Sequence, residues 1–347
     1  MYRAGQNFKC TKNMKPSVSI LICFFVLASS VFGADGDDAF ELEPVFVYGK
    51  NRGPKMGYTP PPIFDPLNDP LYLSGYKDFR PSGVPIDLKN VDAMTRIKKL
   101  GRITACADAW FWPFSRTARE NEADGLEIEI LETIAKKYDW EYEIMWINMK
   151  TRFGPGAPGG AYDRSINKGG CDIVLGLAIS GDDHHMAPNE LVFSKPFMST
   201  GFVMVTQGKA KTVKTLGDAK IQNMKVGVPA YSPMAEYAES NGIPYTTFFQ
   251  NYRVIDAMVR GEINVAMIWS GAISQAKLDR PQALFELVEG YTPVPEMSWD
   301  SAWVIKEKEV DLVKFINESF VDMLETGEIK RIVERYGMPF YPPKGIR

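Results

Sequence analysis

Asp182, Asp183, His184 and His185 follow one another in the stretch AISGDDHHMAPNELVFSKPF (Ala178 to Phe197) and are the densest group of potential metal ligands in the chain. Adjacent histidines on an extended segment point to opposite sides, so they chelate badly together. A hard cation wants about six or more oxygens, and this stretch supplies two carboxylates with Glu190 nearby. A solvated turn is the simpler identity, and no metal site is expected. The chain has only 2 histidines, and no Ser-His-Asp or Cys-His arrangement is visible. General acid or base work would therefore fall to carboxylates. Asp108, Asp183 and Glu127 qualify by position only, and the chain is read as non-catalytic. The Gly-Pro-rich insert FGPGAPGG (Phe153 to Gly160) is not a phosphate loop, because its prolines remove amide donors and no Gly-Lys-Ser/Thr follows. A surface loop is the default reading there, with a cleft lip as the functional version.

Cysteine chemistry depends on the compartment. Arg3, Lys9, Lys12 and Lys15 precede an apolar run from Val18 to Val31, after which come Gly33, Ala34 and the acids Asp35, Asp37 and Asp38. That order is a secretory signal over residues 1–33. A run of about 14 apolar residues is short for a membrane span of about 20, which makes an uncleaved anchor the poorer reading. Removal of the signal takes away four cations and moves the formal net charge from -3 to -7. An acidic chain with no basic cluster argues against nucleic acid and anionic membranes as partners. Of the 4 cysteines, Cys10 and Cys23 leave with the signal. The remaining pair, Cys106 and Cys171, reads as a disulfide in an exported protein, with two buried free thiols as the alternative.

The elements that must position these residues come in a regular order. Residues 34–100 hold nine of the 24 prolines, with Pro60, Pro61 and Pro62 in a run, and are expected to form an extended arm that straps its own domain or meets a partner. From Arg102 onward strand-like and helix-like segments alternate. Ile103 to Ala107, Tyr142 to Ile147 and Asp172 to Ala178 are strand candidates, and Leu126 to Tyr138 carries apolar residues on one helical face. A second set follows, with strands near Val226 to Val228 and Asn264 to Trp269 and helices near Pro233 to Ser240, Arg253 to Arg260 and Gly271 to Asp279. Two further helical stripes, from Leu312 to Leu324 and from Ile329 to Tyr336, stop at Gly337-Met338-Pro339. Such alternation predicts an α/β protein with largely parallel sheets flanked by helices.

The segments ACADAWFWPFS (Ala105 to Ser115), GLEIEIL (Gly125 to Leu131), CDIVLGLAIS (Cys171 to Ser180), VFSKPF (Val192 to Phe197) and KVGVPAYS (Lys225 to Ser232), in this order, resemble the type II periplasmic solute-binding fold of the family 3 binding proteins. The resemblance covers residues 100–340 or so. It implies a two-lobed protein in the periplasm with two crossovers, near Thr206 to Lys214 and Pro293 to Asp300. Lobe 1 would take residues 101–207 and 297–347 and lobe 2 residues 208–296, with a ligand between them. It also places Cys106 and Cys171 on neighbouring strands, within reach of the roughly 4.4 to 6.8 Å Cα separation of a disulfide.

Amino-acid-binding members of that family hold the ligand carboxylate with an arginine and its ammonium with an aspartate. These positions match Asp183 and Trp269 here. An acid repels a carboxylate, and an indole meets an ammonium only through its ring face, so both anchors of a zwitterion are missing. The aromatic loop after the first strand, Trp110, Phe111, Trp112 and Phe114, would open onto the cleft together with Trp269, Tyr231 and Trp299. Asp108, Ser180 and Asp183 are expected beside them. Such a wall suits an apolar, planar or peptide-like ligand.

A narrower resemblance, to the J proteins of methanol-oxidation gene clusters, rests on VAMIW, R-x-I-x-A-M-x-x-G-E-I, the cysteines of ACAD and CDIVLG, and the ending RYGMPF. It implies an accessory or maturation role for a pyrroloquinoline-quinone methanol dehydrogenase, with that enzyme as partner and no cofactor of the chain's own. The alternative is the solute-binding subunit of an ABC transporter for a non-zwitterionic small molecule.

Overall fold

In a computed structural model of the protein, the described residues are 91–117, 123–147, 149, 160–179, 190–281, 283 and 285–345. The signal, the arm as far as residue 90, nearly all of the Gly-Pro insert, and Ser180 with Asp182 to His185 lie outside them.

The first element is one that the sequence reading assigned to the arm. Helix α1 (Ala93–Leu100) is capped by Asp92, which accepts the Thr95 N–H, and stops at Gly101 in the left-handed region. Its Ala93, Met94 and Ile97 are buried in the first core, so these eight residues belong to the domain and not to an extended arm. Arg96 pairs with Asp172, whose other oxygen accepts the Thr104 N–H at 2.9 Å. The periodic residues are few and follow a proline-rich stretch, which hides the helix in a compositional reading.

Strand β1 (Arg102–Asp108) pairs in parallel with β5 (Glu141–Ile147) and with β6 (Ile173–Ile179). Helix α2 (Leu126–Lys137) connects β1 to β5 and buries Leu126, Ile130, Leu131 and Ile134, as its periodicity requires. In the second set β9 (Val226–Pro229) pairs in parallel with β10 (Tyr245–Phe248) and with β11 (Val265–Trp269). Helices α5 (Pro233–Ser240), α6 (Asn251–Val259) and α7 (Ser270–Asp279) flank them, at the places their apolar spacing indicated.

Two nine-residue strands, β8 (Met198–Thr206) and β13 (Ser298–Lys306), join the sets. The sheet runs β10-β9-β11-β8-β13-β6-β1-β5. Residues 198–201 of β8 pair with β13 and residues 202–206 pair with β11, antiparallel in both cases. Met198 belongs to the first core, while Phe202 and Met204 belong to one cluster of the second lobe and Val203 and Val205 to another. The chain thus changes lobe inside β8, earlier than the stretch 206–214 at which the sequence reading places it. A side chain covered on both faces gives no sign of which core covers it. The chain returns at the start of β13 and ends with α8 (Val310–Glu325) and α9 (Glu328–Arg335) on the first lobe, where Leu312, Ile316, Phe320, Ile329 and Ile332 are buried.

Cys106 on β1 and Cys171 before β6 form a disulfide with a Cα separation of 5.6 Å across 65 residues. It lies among Ile147, Tyr162, Ile166 and Val174. Closing a loop of that length restricts the unfolded chain and contributes about 2–4 kcal/mol. Replacing both cysteines by alanine should lower unfolding free energy by that amount, measured in urea, without changing the native far-UV circular dichroism.

Candidate functional site

The aromatic loop after β1 is held by hydrogen bonds that its own backbone makes. Asp108 is buried and accepts the N–H of Trp110 at 2.8 Å and of Met149 at 3.1 Å. Its carboxylate therefore shapes the loop and is committed to backbone. Beyond it β2 (Trp110–Phe111), β3 (Ser115–Thr117) and β4 (Ala123–Asp124) form a small antiparallel sheet. A helix leaves its first N–H groups without partners inside the helix. Here the loop supplies them: Leu126 N–H donates to Pro113 O at 2.8 Å and Glu127 N–H to Phe114 O at 3.1 Å. The approach is so close that a Cβ on Gly125, at φ 138°, would lie 2.3 Å from Phe114 O.

That docking sets the ring positions. Phe111 and Phe114 stack at 4.8 Å between centroids. Trp269, at the end of β11 in the other lobe, stacks on both, at 5.8 and 5.7 Å and within 16° of parallel. Its backbone N–H is held by Asn251 Oδ1 at 3.1 Å. Gly271 makes room for the indole, because a Cβ there would fall 2.3 Å from the ring. A tryptophan followed by Ser270-Gly271 thus folds its ring back over the first turn of α7 and across to lobe 1.

The other expected site residues are not brought into this stack. Trp112 meets Tyr336 edge-on at 5.5 Å and lies 3.8 Å under the Arg116 guanidinium. Arg116 is paired with Asp124 at 2.6 Å, and Asp124 also accepts the Tyr336 hydroxyl at 3.2 Å. Trp112 thereby serves packing between the loop and α9. Trp299 packs edge-on against Phe202 at 6.0 Å, in the second lobe's core. Tyr231 is 96% exposed, because its left-handed backbone at the tip of the loop after β9 turns it outward. Trp110 is half-buried, and its indole N–H has no partner. Ser180 and Asp183 lie outside the described residues.

Glu127 emerges as more than a positional candidate. It is fully buried on the first turn of α2, and its carboxyl oxygens have the Trp303 indole and the Gly176 amide near them, neither in full hydrogen-bond geometry. Burial pushes its pKa up to about 8; the Trp303 indole and the Gly176 amide draw it partly back. A helix N-terminus favours a carboxylate by only about 0.3–1 kcal/mol, less than one pKa unit of about 1.4 kcal/mol, so desolvation wins. Gly176 has φ +88°, and a Cβ on it would lie 3.4 Å from the Phe111 ring and 3.6 Å from Glu127 Oε2. Gly176 therefore lies next to both the neutral acid and the ring that Trp269 covers. The visible signal was an acid in the otherwise apolar face of GLEIEIL.

The comparisons with known proteins agree with this architecture. Residues 103–339 match the model of the bacterial extracellular solute-binding proteins, family 3, and the chain belongs to that family. The L-cystine-binding protein TcyJ of Escherichia coli K12 is 20% identical over 249 residues, covering 70% of this chain and 85% of the relative. The unliganded open L-cystine solute receptor of Neisseria gonorrhoeae superposes with a TM-score of 0.58 at 15% identity, covering 72% of this chain and 98% of that one. A polar amino acid uptake transporter substrate-binding protein of Streptococcus thermophilus gives 0.56 at 16% identity, covering 72% and 91%. The family is one of extracellular binding proteins, as expected for the periplasm, and no helix among the described residues is long and apolar enough to cross a membrane.

Glu127 gives stability a definite dependence on pH. Its carboxyl ionises near 4.5 in the unfolded chain and near 8 in the folded one. Between those values the native state holds a proton that the unfolded state has lost. The contribution is complete below about pH 4.5, falls as pH rises toward about 8, and is flat above. Urea unfolding of the wild type and Glu127→Gln at pH 5, 6.5 and 8 should show the difference between them changing by a few kcal/mol in favour of the variant as pH rises. A constant difference would mean the carboxyl is already ionised in the folded protein.

Proposed function

We propose that this family 3 binding protein is a periplasmic receptor for a non-zwitterionic small molecule, delivered to an ABC transporter, and not for a free amino acid. The observation that carries the reading is Trp269. It stands where amino-acid-binding relatives carry the ammonium-binding aspartate, and its indole stacks on Phe111 and Phe114 of the opposite lobe. A ligand that displaced one of these rings would meet the face of another, with the buried, neutral Glu127 in the lobe of Phe111 and Phe114 in place of an ion pair. In sequence, an acid, Asp183, stands where the resemblance expects the carboxylate-binding arginine. Apolar or planar ligands gain from ring faces, whereas a zwitterion would lose its hydration without compensating partners. The cystine and polar amino acid specificities named for the relatives do not carry over at 15–20% identity with both anchors replaced.

A second reading keeps the fold and changes the client. The J-protein motifs support an accessory role for a quinoprotein methanol dehydrogenase, and the self-filled ring stack is the feature that favours it. A cleft closed by its own side chains leaves recognition to the lobe surfaces.

Thermal-shift screening of the exported protein separates these roles. Free amino acids, L-cystine included, should give no shift, while at least one planar or apolar metabolite should raise Tm and quench tryptophan fluorescence. A shift with an ordinary amino acid would overturn the ligand class. No shift with any metabolite, together with co-purification of the dehydrogenase, would favour the accessory role.

A further inference from the structure

The chain beyond α9 does not stay with lobe 1. Met338 is buried in the first core and Phe340 packs against it. The next residue, Tyr341, packs against a cluster of the second lobe, and its hydroxyl donates to Tyr291 O at 3.3 Å. The tail thus passes from one core to the other within a few residues.

It also binds both shared strands. Ser199 of β8 donates its N–H to Tyr341 O at 2.9 Å and its hydroxyl to Pro342 O at 3.1 Å. The same hydroxyl meets Asp300 of β13, and Asp300 Oδ1 accepts the Lys344 N–H at 3.1 Å. The Lys344 ammonium reaches Pro295 O at 3.1 Å and Ser298 O at 3.4 Å. Ser199 and Asp300 are each 4% exposed, so these bonds form away from competing water. They lie where β8 turns from β13 to β11, the point at which a change of lobe angle must be absorbed. Beside them, Lys277 of α7 donates to Gly337 O at 3.2 Å, joining a lobe-2 helix to the end of a lobe-1 helix.

We infer that residues 338–345 are a latch, a third tie between the lobes that fixes their angle whether or not a ligand is present. Hinge closure needs a few residues free to change φ and ψ. Here the residues that would do so are hydrogen-bonded to a tail anchored in both cores. Separating the lobes requires either withdrawal of Tyr341 from the second lobe or loss of the Ser199 and Asp300 bonds. The inference concerns lobe motion: with the angle fixed, the accessory reading needs no opening, and a small-molecule ligand would have to displace a ring of the stack without parting the lobes.

Spin labels on Lys136→Cys in α2 and Glu239→Cys in α5, both exposed, report the lobe separation by pulsed electron resonance without ligand. The exported protein should give one narrow distance distribution. Ending the chain after Phe340, or substituting Tyr341→Ala with Lys344→Ala, should broaden the distribution at least about twofold and add longer distances. If the truncated chain does not fold, the double substitution decides. The latch is overturned if the intact protein is already as broad as the variants, or if the folded variants stay as narrow as the intact protein.

Discussion

Strands β8 and β13 have to satisfy two cores at once. Every residue of β8 is buried, and the strand has one set of neighbours over its first four residues and another over the rest. A backbone amide buried without a partner is costly, so the strand cannot leave the first sheet until β11 is ready to receive it. The order of the sheet, the place of the lobe change and the location of the tail all follow from that requirement. Gly201 marks the tight point: a Cβ on it would lie 2.7 Å from both Met297 O and the Pro293 side chain. The segment leading into β13 is therefore packed closely against β8 where the chain crosses.

Around this frame each lobe supplies one part of the candidate site. Lobe 1 docks its aromatic loop on the open end of α2, which orients Phe111 and Phe114, and lobe 2 presents Trp269 at the end of β11. The rings meet because hydrogen bonds fix the backbone on both sides, Pro113 O and Phe114 O on the end of α2 and the Trp269 N–H on Asn251. An aromatic pair contributes about 0.5–1.5 kcal/mol beyond its buried area, so the stack is itself a force between the lobes. Glu127, beside Gly176 in lobe 1, is a buried acid kept neutral by desolvation. Such a group can donate a hydrogen bond at neutral pH, but a ligand that displaced Phe111 would have to supply the acceptor.

Local pattern carried much of this. The apolar face of α2, the uninterrupted apolar run of β6 and the paired stripes of α8 and α9 were legible because each has a period that one covered face or two covered faces impose. The four-residue strand β10 and the two-residue strands β2 and β4 are too short to show a period. Helix α1 was lost in its proline-rich neighbourhood although its cap, Asp92, and stop, Gly101, are both present. Of the aromatic residues, the loop cluster was recognised as a group but its members were not separable by type.

By itself the sequence pointed to the α/β class and to the pairing of Cys106 with Cys171. These rest on residue identity and local spacing, which any arrangement of the chain preserves. Only the tertiary structure decided which rings meet. Trp112 turned to Tyr336, Trp299 to Phe202 and Tyr231 to solvent, while Phe111 and Phe114 met an indole more than 150 residues away. The same holds for the loss of charge on Glu127 and for the tail that ties the lobes. Each depends on what segments distant in sequence bring to the same place, and neither period nor composition records that distance.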